Sequence, residues 1–434
     1  MGVLIEVKEF ETLIGKKEYE EQYTCIDEQA FSELIEFIHA YSAQDDESDI
    51  LDFIKIGYKR NVGETLTFQN YVGLIQMKNN YQIQILPKID FADGEKDQTK
   101  EVFMRMLRSM KDFPSKVFSN ANLKMDRMNL YEIFINMYLQ ETRQLVKHGI
   151  RSAYVNQQDN LNVYKGKLMV KENIKFNASH HERFYVSFDE FQANRAENRL
   201  IKSTLLKLQN ITTSAENAKE IRQLLTSFEL VEPSTNYDKD FSQVVIDRNT
   251  KDYELLMQWS KVFLKNKSFT TFSGTEHARA LLFPMEKVFE AYVARNMKKV
   301  FSTEKDWTVS AQDKGYYLFN KLNDEPHKKF ALRPDLVVTR NDGSKVILDT
   351  KWKTLINNKA KNYGISQTDM YQMYAYGKKY DTSEIWLLYP LNKEMKDHDL
   401  IRFDSGDGVT VSVFFVDVVH IEESMSQLLT LLKN

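Results

Sequence analysis

The sequence predicts a multidomain α/β protein: a β-rich N-terminal unit, a mainly helical middle and a C-terminal α/β/α domain. Three observations carry this expectation. A chain of 434 residues divides, at roughly 150 residues per domain, into two or three domains. Its 15 glycines and 7 prolines fall well below the roughly 12% of average usage, which favours long elements over tight turns. The period of the hydrophobic pattern also changes along the chain, from alternation through helical spacing to continuous apolar runs in the last third.

The elements follow in order. IKIGYK, YVGLIQM and YQIQILPKI alternate apolar and polar residues over 54–95, so short strands bounded by turns close a first region at 1–95. ADGEKDQTKE (92–101) reads as a polar connection. Helical spacing then runs from Val102 to Gly149, with Gly149 as a C-cap, and opens a mainly helical region at 96–270. Inside it, YKGKLMVKENIKFNASHHERFYVSFDEF reads as strand and loop, and NRAENRLIKSTLLKL as a helix. Pro233, Ser234 and Asn236 mark a boundary before the final helices. Over 271–434 the sequence predicts a helix in HARALLFPMEKVFEAYVARNMKKVF, then strands in WTVSA and YYLFN. A hairpin joins ALRPDLVVT to KVILDTKW across Asn341 to Ser344. A helix in SQTDMYQMYAYGKKY, strands EIWLLYP and VTVSVFFVDVV, and a closing helix complete the series. LVV and VIL are the apolar runs of strands covered on both faces, hence the α/β/α layering.

Composition narrows the function classes. With 42% hydrophobic and 28% charged residues, disorder and fibrous structure have no support. Cys25 is the only cysteine, which excludes an intramolecular disulfide, a CxxC zinc site and a cysteine-ligated cluster. The N-terminus lacks the basic and apolar regions of a secretory signal, and no stretch reaches ~18 uncharged apolar residues. A cytoplasmic protein without a membrane segment is expected. The net charge of -3 conceals an asymmetry: residues 1–56 hold 15 acidic and 4 basic side chains, whereas 321–380 hold 12 basic and 6 acidic ones. The first end suits a protein partner, and the second suits a polyanion.

The chemistry concentrates in the predicted hairpin. A turn at Asp342-Gly343 sets Asp335 across from about residue 350, which brings Asp349 within ~5–8 Å of it. Strand alternation points Asp349 and Lys351 to one face and Thr350 to the other. Two carboxylates and an ammonium on one face suit Mg²⁺, with Lys351 orienting or helping to deprotonate water at a phosphodiester. Acid-x-base triplets arise by chance roughly eight times in so charged a chain. Placement beside buried apolar strands is what distinguishes this one, because charge there is costly unless used.

With Pro334, Asp335, Asp349 and Lys351, the chain resembles the PD-(D/E)xK nuclease superfamily. Gln372-Met-Tyr-Ala-Tyr376 is similar to the QxxxY motif of its RecB-like members, and the resemblance implies that Gln372 and Tyr376 help position DNA. It also implies an upstream helical glutamate that serves as a catalytic group and metal ligand beside Asp335 and Asp349. Glu290 in KVFEAYV is chosen over Glu286. VGLIQMKNNYQIQILPKI (72–89), YKGKLMVKENIKFN (164–177), ERFYVSFDEFQANRAENRLIKSTL (182–205), LLFPMEKVFEAYVA (281–294), RPDLVV (333–338) and ILDTKWK (347–353) resemble the McrC subunits of McrBC modified-cytosine restriction systems. That likeness implies a Mg²⁺-dependent endonuclease subunit for phage defence that cuts double-stranded DNA carrying 5-methylcytosine. It further implies a McrB-like AAA+ GTPase hexamer as partner, GTP bound by that partner, stimulation of its hydrolysis by this chain, and possible pairing of whole complexes. The chain has no GxxxxGK[ST] loop, and Gly15-Lys16-Lys17 lacks the flanking residues of one.

Two alternatives stay open at this stage: a stand-alone RecB-like nuclease, and a non-cleaving adaptor that only stimulates the GTPase. Asn198 and Arg199 are candidate interface residues. His180-His181 is read as a polar loop, since adjacent side chains diverge and no third histidine lies nearby.

Overall fold

The computed structural model describes residues 4–42, 54–77, 81–88, 96–110, 130–248, 250–265, 278–304, 307–321, 328–396 and 398–433. The chain packs as two compact units: one holds the described residues of 1–115 and 275–434, the other those of 127–274. The boundary expected near 271 and the middle of the helical run 102–149 lie outside the described residues. So does the first part of the connection at 92–101, which is helix from Lys96 onward.

The first unit begins with β1 (Leu4–Lys8), β2 (Thr12–Ile14), β3 (Thr24–Cys25), α1 (Glu28–Ser42), β4 (Ile54–Lys59), β5 (Gly63–Phe68), β6 (Tyr71–Met77), β7 (Gln82–Leu86) and α2 (Lys96–Leu107). The alternating segments form strands as expected. β3, β2, β5 and β4 make one sheet in that order. Its inward residues Leu13, Leu66 and Phe68 are fully buried.

The second unit consists of α3 (Leu130–His148), β8 (Ala153–Leu161), β9 (Lys167–Leu168), α4 (Val170–Asn177), β10 (Phe184–Gln192), α5 (Ala196–Gln209), α6 (Ala215–Ser227), α7 (Tyr237–Gln243) and α8 (Lys251–Lys265). It is mainly helical, with β8, β10 and β9 as an antiparallel sheet. VKENIKFN, expected as strand or loop, is the helix α4. Gly149 follows α3 at φ +86°, the left-handed backbone of a helix C-cap. Asn198 and Arg199, the candidate interface residues, are both engaged in hydrogen bonds within this unit. Asn198 is fully buried, donates to the carbonyls of Arg151 and Ala193, and accepts from the Tyr253 hydroxyl. Arg199 donates to both carboxylate oxygens of Asp240 and to Asn194 O. The Asn198 amide spends both of its hydrogens within the unit, and the Arg199 guanidinium commits three of its five donors there.

The chain then returns to the first unit with β11 (Ala278–Pro284), α9 (Met285–Phe301), β12 (Thr308–Ala311), β13 (Tyr317–Asn320), β14 (Lys328–Ala331), β15 (Leu336–Thr339), β16 (Lys345–Thr350), α10 (Gln367–Tyr380), β17 (Glu384–Pro390), β18 (Ile401–Asp404), β19 (Thr410–Val416) and α11 (Ile421–Lys433). ARALLFP is therefore a strand, not the start of the expected helix. Proline is poorly tolerated inside a helix, and α9 starts immediately after Pro284. The strand pairs antiparallel with β6 from Ala278↔Met77 to Pro284↔Tyr71, in a sheet ordered β1-β7-β6-β11. This corrects the separation of 1–95 from 271–434: the two stretches share a sheet.

The six-stranded sheet β12-β15-β16-β17-β19-β18 is mixed, with β16, β17 and β19 parallel and the outer pairs antiparallel. Val337, Ile347, Leu387, Val411 and Val413 pack with Met373, Tyr376 and Tyr380 of α10 on one side. α9 and α11 pack against each other and contact β16 and β19 respectively. The strand β18 carried too few apolar residues to be read in advance. Among the described residues no helix is long and apolar enough to cross a membrane.

Candidate active site

The hairpin β15–β16 sets the site. Leu336 pairs with Leu348 and Thr339 with Lys345, so Asp335 stands at the strand entrance beside the end of β16. Gly343 takes φ +82° in the turn, a conformation glycine adopts without the Cβ penalty. Period-two alternation puts Asp349 and Lys351 on the face of Ile347, which packs toward α10. Trp352 turns the other way, its ring 5.4 Å from that of Phe289 on α9.

Asp349 is only 2% exposed. Its Oδ2 lies 2.6 Å from Lys351 Nζ, yet no aligned hydrogen-bond donor reaches that atom. Asp335 Oδ2 accepts from the Thr350 amide at 2.7 Å and from Thr350 Oγ1 at 2.6 Å. Lys351 Nζ also donates to Gln372 Oε1 at 3.1 Å, and Gln372 Nε2 donates to the Tyr376 hydroxyl at 2.8 Å. These last two side chains meet because positions i and i+4 share a helix face. Glu290 Oε1 accepts from Gln312 Nε2 at 2.9 Å. Glu286, one turn earlier, exerts its charge on Glu9 and Lys88 instead.

The electrostatics reflect crowded negative charge. Burial, and then the neighbouring Asp335, push the Asp349 carboxyl up to about 7, against the pull of Lys351. Burial raises Asp335 despite the Thr350 hydrogen bonds. Burial and Asp335 raise Glu290. Burial pulls the Lys351 ammonium down, but Asp349, Asp369 and Asp335 together lift it above its ordinary value. The surrounding carboxylates thus favour its charged form.

Among the described residues no three His, Cys, Asp or Glu side chains stand close enough to hold a metal ion among themselves. The donors nonetheless fit Mg²⁺. The ion needs only one or two carboxylates, keeps several waters and shares substrate phosphate oxygens. The buried Asp349 carboxylate, ion-paired to Lys351 and next to the Asp335 carboxylate, provides that.

Several supporting residues had no signal in the letters. Thr350, expected to turn away, grips Asp335. Lys353 Nζ pairs with Asp369 Oδ2 at 2.7 Å, where Asp369 sits in the first turn of α10 behind a Ser366 cap. Trp352 is clamped by residues far off in sequence: its Nε1 donates to Glu9 Oε2 at 3.1 Å, and its carbonyl accepts from Lys88 Nζ at 3.0 Å. The one hint was Lys88 inside the apolar stretch ILPKI.

Comparison with known proteins agrees with this architecture. A family model described as McrBC 5-methylcytosine restriction system component matches residues 66–390. No curated protein matches the chain. It is similar to a chain in the refined half-complex from a tetradecameric assembly of Thermococcus gammatolerans McrB AAA+ hexamers with bound McrC. There the identity is 18% and the TM-score 0.67, over 99% of this chain and 100% of that chain. A second structure, the cryo-EM structure of the Thermococcus gammatolerans McrBC complex, matches at 20% identity and a TM-score of 0.48, over 69% of this chain and 88% of that one.

Proposed function

The chain belongs to the family of McrBC 5-methylcytosine restriction system components, and from that premise we propose that it is the McrC-type nuclease subunit of such a system. It cuts DNA with a PD-(D/E)xK site and works with a McrB-like AAA+ GTPase ring. The observation that carries this reading is the cluster at the end of β16: buried Asp349 beside Asp335, with Lys351 ion-paired at 2.6 Å and linked to Gln372 at 3.1 Å.

Asp335 and Asp349 would hold Mg²⁺, with Glu290 at the rim. When bound, the ion supplies Lewis-acid stabilisation of charge developing on the scissile phosphate. The chain's own residues do the rest. Thr350 fixes the Asp335 carboxylate through two hydrogen bonds. Lys351 presents a positive charge to an attacking water or phosphate oxygen, an electrostatic contribution that burial strengthens. Gln372 and Tyr376 hold the Lys351 ammonium in place and line the approach of the DNA strand. The modified base and GTP are handled by the partner ring, and two cuts in a duplex require two such sites, as in paired complexes.

The test is cleavage of cytosine-methylated and unmethylated plasmid by the full chain, alone and with its AAA+ partner, with Mg²⁺ and with or without GTP. Cutting is expected only with partner, GTP and methylation together. Asp349→Ala and Lys351→Ala should each remove it while leaving complex assembly intact. Cleavage surviving both substitutions overturns the site, and cutting by the isolated chain replaces this reading with a stand-alone nuclease.

A further inference from the structure

Between two residues of the site the chain makes an excursion. Gln312, which holds Glu290, donates its backbone amide to the Asp335 carbonyl at 2.9 Å, closing off residues 313–334. Of these, the described residues 313–321 and 328–334 leave the six-stranded sheet and pair as a separate two-stranded arm, β13 with β14. The root of the arm is anchored. Leu332 is buried and its amide donates to Tyr316 O at 2.9 Å. The Tyr316 hydroxyl accepts from Lys345 Nζ at 2.8 Å, and the Tyr316 ring lies 4.1 Å from that of Tyr380 on α10. α10 also carries Gln372 and Tyr376, so the arm and the site share one supporting helix.

Beyond the root the arm makes no core. All four residues of β14 are exposed. Phe319 and Phe330 are 62% and 72% exposed, with their rings edge to face at 6.1 Å. Phe330 takes φ +59°, a left-handed conformation that costs a non-glycine residue and is retained where surroundings or function require it. Exposed aromatic surface on a strained backbone buries little apolar area for folding. Its charge points to the occupant: residues 314–334 contain five basic and two acidic side chains. Among the described residues neither Lys328 nor Lys329 is ion-paired, and the Lys328 ammonium lies 5.4 Å from the Tyr317 ring.

We propose that the β13–β14 arm grips DNA beside the cut, with Phe330 and Phe319 wedged at a base step and Lys328 and Lys329 on the flanking phosphates. This rests on the nuclease reading above, which places a phosphodiester at Asp335 and Asp349. A four-residue strand reaches roughly 13 Å, so an arm rooted at Asp335 meets nucleotides within a few steps of that phosphate. Apolar wedges flanked by lysines are a recurrent way to hold and kink a duplex, and aromatic rings stack on any base.

The experiment uses the full chain with its AAA+ partner and a methylated duplex carrying 2-aminopurine near the cut. Phe319→Ala/Phe330→Ala should raise KM for DNA roughly tenfold or more, the scale of lost base stacking. The 2-aminopurine fluorescence gain on binding should disappear, and GTPase stimulation should stay unchanged. Lys328→Gln/Lys329→Gln should reduce the salt dependence of binding by about two phosphate contacts. Phe330→Gly guards against misfolding: it relieves the left-handed backbone, so the fold should be at least as stable while the fluorescence gain is lost. Unchanged KM with an unchanged 2-aminopurine signal overturns the proposal. Loss of GTPase stimulation would assign the arm to the protein partner, and a changed oligomeric state would assign it to a second copy; either outcome also overturns it. A non-cutting Asp349→Ala chain still reports base unstacking, so failure of the arm and failure of the nuclease site are read separately.

Discussion

Thr350 shows how one side chain sets the chemistry of another. Its amide and hydroxyl both donate to Asp335 Oδ2, fixing the carboxyl in place and opposing the upward push of burial on it. Thr350→Val keeps the shape and the amide but removes the hydroxyl. A hydrogen bond to a charged group is worth about 1.5–3 kcal/mol, so Mg²⁺-supported cleavage should fall roughly ten- to a hundredfold, measured as rate against Mg²⁺ concentration. Asp349 gives a pH prediction with a definite sign. Its carboxyl titrates near 3.8 when unperturbed and is pushed up to about 7 in the fold. Between those values the folded chain holds a proton that the unfolded chain has lost. Stability of the metal-free protein should therefore fall as pH rises from about 4 to about 7 and level off above that. Mg²⁺ affinity should move the opposite way, rising through the same window as the proton is displaced. Calorimetric titration at pH 6 and pH 8 checks it; equal affinities would mean that Asp349 does not bind the ion.

Strand β6 shows what a single glycine makes possible within an element. Gly73 takes φ +149°, and a Cβ built there would lie 2.0 Å from the Leu281 carbonyl oxygen of β11. Only a residue without a side chain lets these strands approach, and β11 is the strand that ties the last third of the chain to the first. Gly73→Ala should cost more than about 1 kcal/mol, from the backbone conformation and the forced separation together. It should lower the melting temperature while leaving the residues of the Asp349 cluster chemically unchanged. The turn at Gly343 has no such neighbour within 4 Å, so alanine there meets only the conformational penalty and should cost less.

Across the whole first unit, the N-terminal sheet is connected to the site strand through Trp352. Glu9 and Lys88 hold this residue, which directly follows Lys351, and burial raises the Glu9 carboxyl while Lys88 opposes it. Lys88→Met removes the donor to the Trp352 carbonyl and the positive charge next to a carboxyl that is 2% exposed. Loss of about 1–3 kcal/mol of stability is expected, with faster amide exchange at 352 and 353. Unaltered exchange there would mean that the clamp does not hold the site strand.

Sequence by itself determined whatever depends on local pattern. The hairpin at Asp342-Gly343, the shared face of Asp349 and Lys351, the pairing of Gln372 with Tyr376 and the C-cap at Gly149 all follow from turn chemistry and from the periods of strand and helix, which act over a few residues. Tertiary structure alone decided what depends on packing between distant segments. ARALLFP became a strand because β6 offered an edge to pair with. Asn198 and Arg199 went inward because Tyr253 and Asp240 satisfied them there. Glu290 came under the influence of Asp335, while Glu286 came under that of Lys88. A side chain's neighbours across the fold, invisible in its own stretch of sequence, determine whether its charge is used, paired or buried.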